Sequence, residues 1–208
     1  MTPLERAFLI VGILGAVAFA LVAADVSFHG QLEQRDQPIA DWLAAHANGV
    51  PWFSRGFDFL GSVFVVAPLI LVSAIVLWRR QERREAARII ILGLVGLAAY
   101  SAFKQFFARA RPSTAIGLES GYSFPSGHAT MAAVLACYFL WLALRQPRGR
   151  VAAIPLVAAA AAWALLMALS RITYGVHYFT DVLGGLALGA SVGALGIGLP
   201  ALLRPADR

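Results

Sequence analysis

Six apolar runs, each close to the thickness of a bilayer in length, constrain this chain more than any other feature. They cover residues 7–24, 60–78, 89–107, 127–144, 151–170 and 181–203. A helix rises ~1.5 Å per residue, so about 20 apolar residues cross the hydrocarbon core. Lipid offers the backbone no hydrogen bonds, so runs of this kind must satisfy themselves as helices. The expected fold is all-α, a polytopic membrane bundle of six transmembrane helices. Composition agrees: 13% of the 208 residues are charged, against about 25% in soluble domains. Neither a soluble segment nor a low-complexity tail interrupts the pattern, so residues 1–208 read as a single membrane-embedded domain. The first run has a possible signal cleavage site at Val22-Ala23-Ala24. Its apolar stretch exceeds the ~7–15 residues of a signal core, so a retained helix is expected.

The net charge of +6 comes from 16 arginines and a single lysine. In a membrane chain such an excess sets orientation, and no nucleic-acid partner is expected. With a cytoplasmic N-terminus, Arg6, Arg79, Arg80, Arg83, Arg84, Arg88, Arg145, Arg148, Arg150, Arg204 and Arg208 all fall inside, 11 of 17 cations. Arg35, Arg55, Lys104, Arg109, Arg111 and Arg171 then fall outside. Both termini are expected in the cytoplasm of a cell-membrane protein, with the polar motifs outside. In the first outer loop Asp36 and Pro38 open a short helix. Its Ile39, Trp42 and Leu43 form one stripe, which predicts an interfacial helix on the membrane surface. His29 and His46 have no motif around them and read as solvated loop residues. One cysteine, Cys137, excludes an intrachain disulfide. The chain carries neither a zinc-spaced His/Cys cluster nor a Gly-rich nucleotide loop, so no metal and no cofactor is expected.

Three polar stretches carry the chemistry. The first, Lys104 to Pro112, places the only lysine one turn inside the end of the third run and Arg111 in the loop beyond. Arg109, between them, reads as a loop charge. In the second, Tyr122 to His128, Ser126 is placed to cap the fourth helix, and Gly127 lets its amide approach a ligand. A helix start with free amides and a positive dipole end is an anion site. In the third, Ser170 to Asp181, Arg171 ends the fifth run, and His177 and Asp181 stand four apart. On one helix face Asp181 accepts a hydrogen bond from one ring nitrogen of His177 and leaves the other free as a nucleophile. A nucleophile, its orienter and a forked anion binder point to attack on a phosphate. Spans three and five end, and spans four and six begin, on the same membrane side. Gly185, Gly189 and Gly193 on span six, facing Ala129, Ala132, Ala133 and Ala136 on span four, predict close helix packing that brings His128 and His177 together.

Lys-x6-Arg-Pro, Pro-Ser-Gly-His and Ser-Arg-x5-His-x3-Asp, in this order, resemble the three motifs of the type 2 phosphatidic acid phosphatase family of lipid phosphatases. They lie at residues 104–112, 125–128 and 170–181 and match every defining position. The first hundred residues match only in hydropathy and loop pattern. The resemblance implies metal-independent hydrolysis of a lipid phosphate ester through a phosphohistidine. It implies that His177 is the nucleophile, Asp181 its partner and His128 the general acid. Lys104, Arg111, Arg171, Ser126 and Gly127 would hold the phosphate. The expected partners are a lipid phosphate in the outer leaflet and the surrounding membrane lipids. Among bacterial lipids undecaprenyl diphosphate leads and phosphatidylglycerol phosphate follows, with phosphatidic acid and lipid A phosphates lower. Transfer of the phosphate to a lipid acceptor is a variant of the same chemistry. A lipid transporter is the alternative of a different class, but runs one, two, five and six carry no charge at mid-membrane.

Overall fold

The structure, a computed structural model, describes residues 1–46, 51–113, 115, 119–147 and 151–202. Arg148, Arg150, Arg204 and Arg208, counted above as inward cations, lie outside the described residues. The helices are α1 (Pro3–Ser27), α2 (Asp36–His46), α3 (Pro51–Gly61), α4 (Val63–Arg79), α5 (Arg83–Phe107), α6 (Gly127–Leu144), α7 (Ala153–Thr173) and α8 (Phe179–Leu202). Among the described residues α1, α5, α6, α7 and α8 are each long and apolar enough to cross a membrane. α3 and α4, which meet at a 46° bend, reach that length and hydropathy only when taken together, and make a sixth if the pair is one span. The break falls at Ser62, whose extended backbone interrupts the helical run. The short helix expected in the first outer loop is α2, and α3 begins at Pro51, ahead of the apolar run that starts at residue 60.

α1 begins with a capping box in which the Thr2 side chain accepts from the Glu5 amide and Glu5 accepts from the Thr2 amide. α2 lies over the motif-bearing end of the bundle. Its Ile39 and Leu43 pack on Ala129, Ala168, Ile172 and Val182, while Trp42 stays 60% exposed. The apolar stripe of α2 is thus divided between protein and surroundings. α5 and α7 end at this face, where α6 and α8 begin. At the opposite end Glu85 is buried, paired with Arg88 at 2.6 Å and bonded by the Trp141 indole at 3.3 Å. That cluster ties the start of α5 to the last turn of α6.

α8 is the central helix, packed against α1, α5, α6 and α7. Its small residues serve two neighbours. A Cβ on Gly189 would overlap the Thr130 carbonyl and lie 2.8 Å from the Ala133 Cβ; one on Gly193 would lie 2.8 Å from the Cys137 Cβ. This is the α6–α8 contact expected from the glycine spacing. The second contact had no counterpart in that reading: Gly12 and Gly15 of α1 meet Leu195 and Ser191 of α8. Large apolar side chains such as Leu14, Leu21, Val72, Ile91 and Leu165 remain on the outside, as a lipid-facing surface requires.

Gly189→Ala should therefore force α6 and α8 apart and cost about 1–3 kcal/mol, the usual range for overpacking. Thermal unfolding in detergent checks this, with Gly56→Ala, where no neighbour lies within 4 Å, as the silent control.

Candidate active site

The turn after α7 builds the centre. Gly175 adopts a left-handed φ of 73°, which a Cβ would oppose, and its amide bonds back to Ile172. The chain reverses, and His177 arrives just ahead of α8. Asp181, in the first turn of α8, reaches back: one carboxylate oxygen, Oδ2, accepts from the Tyr178 amide at 2.9 Å and lies 3.2 Å from His177 Nδ1. The predicted His177–Asp181 contact thus forms, but not across one helix face, because His177 precedes the helix. Asp181 acts from the third helical position on the residue before the helix, as in a capping box. With Nδ1 turned to Asp181, His177 Nε2 faces Arg111 Nη1 at 3.4 Å.

Five further predicted residues lie on this face of the bundle. Arg111 is positioned by donating to the Val176 carbonyl at 2.8 Å and the Gly121 carbonyl at 3.1 Å. Lys104 leaves α5 and donates to the Tyr122 carbonyl at 2.5 Å. Arg171 has no exposed surface, yet its Nε has no partner. Ser126 sits at the N-cap of α6, but its hydroxyl makes no capping bond. This corrects the expectation that Ser126 caps the helix: its Oγ is buried without a partner. Unpaired amides at the α6 start, that hydroxyl and the Arg171 Nε form the donor set an anion needs. His128, in the first turn of α6, places Nε2 3.2 Å from the Asp58 carbonyl.

Lys104, Arg111, Gly127, His128 and His177 line the polar end of a cavity of about 600 Å³. Its remaining wall is largely aliphatic and comes from α4 and α5, including Val66, Ala67, Ile70, Gly93, Leu94 and Leu97. Lys104 and Ile90 both line it, 14 residues apart on α5, so it runs ~21 Å along that helix at ~1.5 Å per residue.

Three acidic residues at the site were not foreseen. Asp58 and Glu119 pair with the two terminal nitrogens of Arg171, and Glu119 also lies 3.0 Å from Arg111 Nη2. Asp36 is buried beside α8 and accepts from the Thr180 amide at 3.0 Å. Asp36 was read only as a helix start, and no motif surrounds Asp58 or Glu119 in the chain. Arg109, read as a loop charge, is corrected outright. Its guanidinium is largely buried, with Nη1 2.8 Å from Asp181 and Nη2 2.8 Å from Asp36. The Arg-x-Arg-Pro spacing was the available clue, since two arginines flanking one residue can aim at different partners. His29 and His46 are exposed, away from the cavity, as expected. Among the described residues no group of three or more His, Cys, Asp or Glu side chains could hold a metal ion.

Burial, with Lys104, Arg171 and Arg111 nearby, holds His177 well below its ordinary value of 6.5. Burial would raise Glu119, but Arg171 and Arg111 outweigh it and keep that carboxyl below its ordinary value. A lowered histidine pKa means the ring is neutral at every pH above that value. In the ligand-free protein, nitrogen NMR of labelled histidine should therefore report His177 unprotonated at pH 6, where an exposed histidine is mostly charged. A protonated ring at that pH would contradict the geometry.

Comparison with known proteins places the chain in a family. A sequence model of the PAP2 superfamily matches residues 85–202. The chain is 30% identical over 179 residues to phosphatidylglycerophosphatase B of Bacillus subtilis, spanning 82% of this chain and 86% of that protein. It is 31% identical over 154 residues to undecaprenyl-diphosphatase BcrC of the same organism, spanning 71% and 75%. Its fold is similar to the crystal structure of the transmembrane PAP2-type phosphatidylglycerolphosphate phosphatase from Bacillus subtilis. The TM-score is 0.81 at 24% identity, covering 93% of this chain and 97% of that one. The family match takes in Lys104, Arg111, Arg171, His128, His177 and Asp181, and this chain belongs to the PAP2 superfamily.

Proposed function

We propose that the protein hydrolyses a phosphate or diphosphate ester of a membrane lipid, with residues 1–208 acting as one membrane-embedded domain. The observation that carries this reading is the cavity. At one end His177 stands with Lys104, Arg111, Gly127 and His128, and the wall beyond them is largely aliphatic, from α4 and α5. A headgroup phosphate fits the first part and a hydrocarbon tail the second.

Two steps follow from the geometry. His177 Nε2 attacks phosphorus in line, and the phosphorus–oxygen bond to the leaving group breaks as His128 protonates that oxygen. Asp181 keeps the proton on Nδ1 and stabilises the charge the ring gains. Water, deprotonated by His128, then displaces the phosphoryl group from His177 and releases inorganic phosphate. Lys104, Arg111 and Arg171, with the Ser126 hydroxyl and the Gly127 amide, stabilise the equatorial oxygens throughout. These cations supply the charge that a metal ion supplies elsewhere, so activity in EDTA is part of the reading.

For the substrate, undecaprenyl diphosphate comes first. The aliphatic wall from α4 and α5 presents no polar group to a prenyl chain between Val63 and Leu71, and one relative is named for that lipid. Phosphatidylglycerol phosphate is the second reading, favoured by the relative that aligns over 82% of this chain. In a mixed micelle kcat/KM should be higher for undecaprenyl diphosphate; a ratio below one reverses the order, and phosphate release from neither removes both. His177→Ala should abolish turnover on either lipid, and His128→Ala should lose roughly 10²–10⁴-fold, the usual effect of a general acid. Near-normal turnover by His177→Ala would end the phosphohistidine reading.

The site faces the outer leaflet in this proposal, with both termini cytoplasmic. Arg79, Arg80, Arg83, Arg84, Arg88 and Arg145 cluster at the end of the bundle away from the cavity's polar end, and arginine-rich turns stay in the cytoplasm. In a Cys137→Ser background, an impermeant thiol reagent added outside cells should label Gln37→Cys and spare Gln81→Cys. The reverse pattern would put the site in the cytoplasm.

A further inference from the structure

We propose that Arg109 is a positioning residue for the catalytic pair: forked between Asp36 and Asp181, it keeps the Asp181 carboxylate ionised and aimed at His177. The proposal rests on the reading of His177 as nucleophile and Asp181 as its partner. Asp181 has no exposed surface. A carboxylate in that position reverts to the acid unless a cation and hydrogen bonds hold it. Its Oδ2 is occupied by His177 and the Tyr178 amide. Its other oxygen, Oδ1, receives Arg109 Nη1 at 2.8 Å and the Ser123 hydroxyl at 3.4 Å.

The other cations are engaged elsewhere. Lys104 donates to loop carbonyls, Arg111 to Val176 and Glu119, and Arg171 to Asp58 and Glu119. Among the described residues Arg109 is the cation hydrogen-bonded to Asp181. Its direction is over-determined. Nη2 lies 2.8 Å from Asp36, which is itself fixed by the Thr180 amide and hydroxyl. The Tyr178 ring lies 4.4 Å from the guanidinium carbon, and its hydroxyl donates to Gln37 at 3.1 Å. Arg109 does not line the cavity.

The consequence is a choice of tautomer. An ionised Asp181 can only accept, so His177 carries its proton on Nδ1 and presents a lone pair at Nε2. A protonated Asp181 can donate to Nδ1 instead, which moves the ring proton to Nε2 and removes the nucleophile. Arg109 decides between these states without touching the phosphate, so its removal acts on kcat and leaves KM in place.

The test is a double-mutant cycle on purified protein with a lipid phosphate it turns over. Arg109→Gln should lower kcat about 100-fold with KM within about threefold, by analogy with loss of the orienting group in other triads. Arg109→Lys keeps the charge but reaches one carboxylate only, so about tenfold is expected. In the Asp181→Asn background Arg109→Gln should cost less than about threefold, because the group it acts through is gone. A loss carried by KM, an unchanged kcat, or the same factor in both backgrounds overturns the proposal. If Arg109→Gln does not fold, Asp36→Asn carries the same cycle with the same criteria. Asp181→Asn alone separates the two readings: if it leaves kcat intact, the His177–Asp181 assignment fails, whatever Arg109 does.

Discussion

A carboxylate sealed from solvent costs several kcal/mol to keep ionised unless its lone pairs and charge are both met. Asp181 meets that condition through donors from two parts of the chain: His177 and Tyr178 beside it, and Arg109 and Ser123 from the loop between α5 and α6. Its backbone carbonyl takes the Ser126 amide at 2.9 Å, which joins the start of α6 to the start of α8. Once that residue is satisfied, the two helix starts, the loop after α5 and the turn after α7 have little freedom left. The catalytic geometry and the local packing are therefore one constraint.

The helices beneath obey a second constraint. A helix pair in lipid gains little from burying apolar surface, since lipid is equally apolar, and close packing must supply the contact energy. α8 achieves this on two sides at once, with Gly185, Gly189 and Gly193 toward α6 and Ser191 and Leu195 against the α1 glycines. At the far end the buried Glu85, paired with Arg88 and bonded by Trp141, fixes the start of α5 against α6. α5 is held there and again where Lys104 meets the loop carbonyls. Between those points its face toward α4 lines the cavity, with Gly93 at the close approach to Ile70.

The charge balance of the polar end follows from the same burial. Arg171 is deeper than a cation stays without partners, and Asp58 and Glu119 supply them. Both carboxylates come from segments outside the three motifs, α3 and the loop before α6. The motifs thus supply the buried cation Arg171, and the intervening segments supply the acids it rests on.

Much of this was legible in the residues alone. Runs of ~20 apolar residues determine helical spans because lipid permits little else, and their alternating direction puts Lys104, His128, Arg171 and His177 on one side. The glycine spacing in α8 predicted the α6 contact because a four-residue period lies on one face of a helix. Motif spacing pointed to Lys104, His128, Arg171, His177 and Asp181 because each lies within about a turn of a helix end, or just ahead of one. What the sequence could not determine were contacts between segments distant in the chain. Arg109 and Asp36 are 73 positions apart, and Arg171 and Asp58 are 113 apart. A single acid in a short helix carries no periodicity, so neither its burial nor its partner can be read locally. The idle Ser126 hydroxyl, the break at Ser62 and the α1–α8 contact are of the same kind. Each depends on which surface arrives opposite, and only the tertiary structure decides that.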